Sequence, residues 1–267
     1  MLRWFRNRRR KRLRNQPLPA EWWAVIDRHA PAITRLTPEE RRRLGGIVRV
    51  LLDEKDFEGC GGLTVTQDMR LVITAVAALP VLNLPAWDYP GLYSILIYPD
   101  AYRVKSRDEE GPAGIITEED EVRLGEAWTE GSLVLSWNNI LDDCADPNNG
   151  LNTILHEFAH LIDAYSGDID GGPPLPNAAD ARAWSKIVAA CYERHTEDVE
   201  AGRDTLIDPY GATEPAEFFA VTTELFFERP VAMRAQHGEL YEQFARFYAQ
   251  DPAERIEAAQ KERGDRP

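Results

Sequence analysis

The sequence is poor in cysteine, in histidine, in long apolar runs and, past its first 16 residues, in excess basic charge. Its 267 residues include three cysteines, Cys60, Cys144 and Cys191, widely spaced and without a CxxC pair. That excludes a disulfide scaffold and points to a reducing compartment, for which the cytoplasm is the expectation. The two nearly continuous apolar stretches, 71–84 and 92–97, fall short of the roughly 20 residues needed to cross a bilayer. Lys and Arg number 31 against 45 Asp and Glu, a net charge of −14; the first 16 residues hold eight Lys/Arg and no acid, so the remainder carries −22. A body that acidic repels a phosphate backbone, which argues against direct nucleic-acid binding by the domain.

The basic start, MLRWFRNRRRKRLRNQ, has no continuous apolar segment and no small-residue cleavage site, so it does not read as a secretory signal. Residues 1–18 are expected to form a flexible, solvated tail. Clustered charge beside Trp4 and Phe5 gives that tail the means to touch an anionic membrane surface or RNA.

Three helical segments are expected next: one opened by Pro19, one over 37–55 with Thr37 as N-cap and Glu40 as its reciprocal partner, and one from about Val65 to Leu79. Gly45 and Gly46 interrupt the second without removing its helical spacing of Leu44, Ile47, Val48 and Leu51. From Pro80 to Trp137 the runs YSILIYPDAYRV, GIIT and GSLVLSW predict three or four short strands, with SRDEEGPAG as a loop. Trp137 is expected to pack, or to border a cleft. Helical spacing returns at Leu151 and continues in segments capped by Asn177, by Thr213 with Pro215 in the first turn, by Pro230 as far as about Gln250, and by Asp251 with Pro252. No repeat or linker divides residues 19–252, so a single α+β domain is expected, followed by a charged helix or tail over 253–267.

The chemistry is concentrated in His156, Glu157, Phe158, Ala159 and His160. On a helix, positions i and i+4 share a face, so His156 and His160 can present nitrogens to one metal ion with Glu157 beside it as general base. Two of the chain's five histidines fall in this motif. His29, His195 and His237 lie in charged or polar contexts and are expected at the surface or in local hydrogen bonds. A catalytic zinc needs a third protein ligand and an open position for water. Asp163 and Ser166 stand where an HExxHxxGxxH extension would need Gly and His, and no Glu occurs between Glu157 and Glu193. The candidates are therefore Glu214, Glu217 and Glu224 in EPAEFFAVTTELFF. Glu214 suits a helix start, Glu217 is set among apolar neighbours where an unpaired charge is costly, and Glu224 lies two turns further on as alternative ligand or supporting partner. Asp163, one turn after His160, is positioned to accept an N–H from a ligand histidine. A phenol at Tyr210, just ahead of that helix, can donate to a developing oxyanion.

HEFAHLID, followed by DPYGATEPAEFFAVTTELFF and then LYEQFARFYAQDP, resembles the zinc peptidases of the Mlc titration factor A family, whose catalytic part looks like the anthrax lethal factor protease domain. The resemblance spans about residues 20–252, with the specific motifs in its last hundred or so. It implies a mostly helical, zincin-like metallopeptidase with a small mixed β-sheet and an HExxH active-site helix. His156, His160 and Glu217 would hold one Zn2+, with Glu157 as general base and Tyr210 as the active-site tyrosine. It also implies aminopeptidase-type cleavage of peptides, rather than endopeptidase action, and, as the alternative role, sequestration of a transcriptional-repressor protein. The Arg-rich start is not expected in the family's core.

Overall fold

The computed structural model describes residues 2–84, 88–100, 127–129, 131–145, 149–166 and 171–264. The expected GIIT strand and SRDEEGPAG loop lie outside these residues. The architecture is α+β, mostly helical, around a small mixed sheet.

Most of the segment expected as a flexible tail, residues 1–18, is helical. Leu2–Arg14 forms a helix, α1, which packs on α4 (Pro38–Glu54). Arg9 reaches Asp53 at 2.5 Å, Arg10 reaches Glu54 at 2.5 Å and Asp88 at 3.1 Å, and Arg14 also pairs with Asp88. Neutralisation by three acids from elsewhere in the chain holds down a charge block that would otherwise repel itself.

α2 (Ala20–His29) and the short α3 (Pro31–Thr34) precede α4. α4 starts as expected: Glu40 N–H donates to Thr37 Oγ1 at 3.3 Å and Thr37 N–H donates to Glu40 Oε2 at 2.9 Å. A mid-helix glycine costs about 1 kcal/mol relative to alanine. Gly46 offsets that by letting α1 approach, since a Cβ there would stand 2.6 Å from the Arg14 carbonyl oxygen.

A four-residue strand, β1 (Asp56–Gly59), leaves α4 and was not among the expected strands. After α5 (Gln67–Ala78) come β2 (Ser94–Tyr98), β3 (Ala127–Thr129) and β4 (Ser132–Ser136), in sheet order β1-β2-β4-β3. β1, β2 and β4 are parallel, with Asp56 opposite Ser94 and Ser94 opposite Ser132; β3 is antiparallel to β4. Alternation puts Ile95, Ile97, Leu133 and Leu135 into the core. Trp137 opens α6 (Trp137–Ala145) immediately after β4 and is partly buried against the core.

α7 (Thr153–Asp163) packs on α5 and on α9 (Pro215–Glu228). Between them in the chain comes α8 (Ala178–Glu200), capped by Asn177 Oδ1, which accepts from Ala179 and Asp180 N–H at 3.0 Å each. Pro215 occupies the first turn of α9, but the N-cap is Glu214; the Thr213 hydroxyl instead donates to Tyr210 O at 2.7 Å. The expected helix from Pro230 to Gln250 is two, α10 (Pro230–Gln236) and α11 (Gly238–Tyr248), broken at His237 before a glycine. α12 (Pro252–Arg263) closes the chain. α9 is wedged by aromatic packing: Phe219 lies 5.9 Å from Trp184, Phe226 stacks on Tyr248 at 5.6 Å, and Thr223 Oγ1 meets Tyr248 OH at 2.9 Å. That packing fixes the rotation of α9, and hence where its glutamates point.

Candidate metal centre

α7 begins at Thr153 with Asn152 as its N-cap. Asn152 Oδ1 accepts Leu155 N–H at 3.1 Å. Burial of Ile154, Leu155, Phe158, Ala159 and Ile162 fixes the helix face, leaving His156 and His160 one turn apart toward α9. Their Nε2 atoms lie 3.2 Å from each other. Glu217, in the first turn of α9, brings Oε2 to 3.0 Å from His156 Nε2 and Oε1 to 3.4 Å from His160 Nε2.

These three residues form a group whose ligand atoms all fall within 4.8 Å of one another. Zinc–nitrogen bonds of about 2.05 Å in a tetrahedron give donor–donor separations of about 3.3 Å. The 3.2 Å between the two imidazole nitrogens is close to that spacing, each nitrogen has a Glu217 oxygen at 3.0 or 3.4 Å, and two imidazoles with one carboxylate are a donor set suited to a divalent metal ion. Burial pushes the Glu217 carboxyl upward, but the two imidazoles outweigh it and leave it lowered to about 2. For His156, burial works against the charged form, and Glu217 and Glu224 overcome it, raising the imidazole well above its usual value.

Glu157 stands beside this group, 3% exposed, and its Oε2 has no hydrogen-bond partner among the described residues. Burial lifts its pKa to about 7, against the pull of His156 and His160. A carboxyl poised near neutrality next to converging donors is equipped to exchange a proton.

Glu224 supports the group from behind. Its Oε1 lies 2.8 Å from His156 Nδ1 and its Oε2 accepts the Asn152 backbone N–H. An Nδ1–H donated to Glu224 leaves the His156 Nε2 lone pair facing His160 and Glu217. Two supporting residues were not anticipated. Asn152 ties the start of α7 to α9, since its Nδ2 donates to Glu228 Oε1 at 2.8 Å. Burial pushes Glu228 up to about 7. The signal for Glu228 was its place four residues after Glu224, on the same helix face.

Tyr210 sits on a 3-10 turn, Pro209–Ala212, with its ring 6.1 Å from that of His156 and half exposed. Asp208 Oδ1 accepts Tyr210 N–H at 2.8 Å. His195, expected at the surface or in a local hydrogen bond, is buried beneath this turn with Nε2 3.0 Å from the Asp208 carbonyl oxygen.

Asp163 is fully buried, and its Oδ2 accepts Gly171 N–H at 2.8 Å. Gly171 has a φ of +77°, and a Cβ there would lie 2.5 Å from Pro215 O. Asp163 therefore couples the end of α7 to the start of α9, two residues before Glu217. Glu214 is exposed at the N-cap and is not part of the converging group.

The chain is similar to known proteins over nearly its whole length. The profile of a family described as glucose-regulated metallo-peptidase M90 matches residues 4–249, so the match takes in nearly all of α1. An uncharacterized protein of Synechocystis is 40% identical over 246 residues, covering 91% of this chain and 89% of its own. Proteins named Mlc titration factor A are similar too. That of Yersinia enterocolitica is 31% identical over 253 residues, covering 93% of each chain, and that of Yersinia pestis is 30% identical over 250 residues, covering 93% of this chain and 91% of its own.

Proposed function

This chain belongs to the glucose-regulated metallo-peptidase M90 family, and from that premise we propose that it is a zinc-dependent, zincin-like aminopeptidase acting in the cytoplasm. The observation that carries the reading is the convergence of His156, His160 and Glu217 with Glu157 buried beside them. His156, His160 and Glu217 would hold the ion. When bound, zinc supplies Lewis acidity, lowering the pKa of water and polarising a carbonyl.

The chain's own groups do the rest. Glu157 takes a proton from the attacking water and returns it to the leaving amine. Tyr210, at the exposed mouth of the site, donates to the carbonyl oxygen as negative charge gathers there. Glu224 keeps His156 in one tautomer, and Asp163 holds the approach of α9. The three free cysteines are in keeping with a reducing compartment.

Cleavage of a peptide library by the zinc-loaded protein tests the reading. Release of single amino-terminal residues from free peptides, with amino-blocked peptides left intact, is expected. Internal cleavage of blocked peptides would instead make it an endopeptidase. The Yersinia names favour a second role, titration of a repressor such as Mlc. That binding, if present, should survive Glu157→Gln, whereas cleavage should not.

A further inference from the structure

We propose that α1 is a peripheral membrane-docking helix that lays one basic and aromatic face on an anionic lipid surface. The proposal is independent of the peptidase reading.

The helix has two unlike sides. At about 100° per residue, Arg10 and Arg14 point toward α4 and Asp88, the side that the ion pairs occupy. Lys11, Trp4, Arg8, Arg12 and Phe5 fall in a separate arc of about 120°, and all five are exposed. Trp4 and Phe5 are 57% and 58% exposed and pack edge to face at 4.9 Å, with the Arg8 guanidinium 5.4 Å from the Trp4 ring centre. Arg8, Lys11 and Arg12 form no ion pair with any described residue, while Arg9, Arg10 and Arg14 take up the acids of α4 and Asp88. Docking the helix has thus separated structural cations from free ones.

Charge complementarity selects an anionic partner for this face. The exposed aromatic pair selects a lipid interface, where Trp and Phe bury their rings at headgroup depth while neighbouring Lys and Arg stay with the phosphates. A nucleic-acid strand would run past a helix of about 20 Å onto a body that carries −22 outside the first 16 residues. A membrane needs to touch α1 alone. Because the helix is held by its other side, the protein would dock with a defined orientation.

The test is sedimentation of the full, zinc-loaded chain with vesicles of phosphatidylcholine, alone or containing about one third phosphatidylglycerol. Two variants, R8E/K11E/R12E and W4S/F5S, alter only exposed side chains, and unchanged thermal melting will show that both fold. Partitioning onto the anionic vesicles is expected to exceed that onto neutral ones by at least roughly tenfold, and to fall at least roughly tenfold on charge reversal. W4S/F5S should weaken it several-fold and make what remains more salt-sensitive. Equal partitioning onto both vesicles, or no loss in either variant, would overturn the proposal. So would tighter binding to a single-stranded RNA oligomer than to vesicles, retained in W4S/F5S.

Discussion

His156 is gripped at its far nitrogen by Glu224, whose Oε1 lies 2.8 Å from Nδ1. Glu217 approaches the other nitrogen at 3.0 Å, so two glutamates seven positions apart on α9 set one imidazole. A second carboxylate behind a ligand histidine typically contributes 10–100-fold in metal affinity. Glu224→Ala is therefore expected to weaken zinc binding by roughly 10–100-fold, with Glu217→Ala weakening it further. Zinc titration against a competing chelator checks this, and unchanged affinity in Glu224→Ala would remove Glu224 from the site.

The link between Asn152 and Glu228 sets a pH dependence. Burial raises Glu228 from 4.5 to about 7 in the fold. A raised carboxyl stabilises the fold fully below its unfolded pKa, and that contribution is lost as pH rises through the folded value. The window is thus about pH 4.5 to 7. Glu228→Gln, which keeps an oxygen for Asn152, should gain stability relative to the parent across that window, up to a ceiling of about 3 kcal/mol. Urea unfolding at several pH values measures it; a parallel pair of stability curves would refute the assignment.

Gly46 tests the docking of α1. Alanine improves helix propensity by about 1 kcal/mol, but its methyl would meet the Arg14 carbonyl oxygen at 2.6 Å. Gly46→Ala should therefore lose about 1–3 kcal/mol net and speed proteolysis within residues 2–14. A gain in stability would mean that α1 does not press on α4.

Tyr210→Phe removes the proposed oxyanion donor and should lower kcat by roughly 100-fold or more, with KM and zinc content close to the parent's. Steady-state kinetics on a peptide amide decide it. A change confined to KM would give Tyr210 a binding role instead.

What the sequence revealed was local. The pair His156 and His160 declares itself through i, i+4 spacing, and Glu217 through being an acid embedded among phenylalanines. The bond from Gly171 N–H to Asp163 was not legible, because it depends on how a later loop folds back. The docking of α1 was hidden for the same reason, because Asp53, Glu54 and Asp88 lie 44 to 78 residues from their arginines. β1 escaped notice since a four-residue, largely polar edge strand has almost no alternation to read. The break between α10 and α11 was announced only by Gly238.

The role proposed for Glu157 is to handle protons at a metal site it does not help to build. Glu157→Gln should therefore bind zinc with the parent's stoichiometry and lose at least roughly 100-fold in peptide hydrolysis. Zinc content and turnover measured on one preparation give the answer. Full zinc with hydrolysis at the parent's rate would exclude Glu157 as the proton carrier.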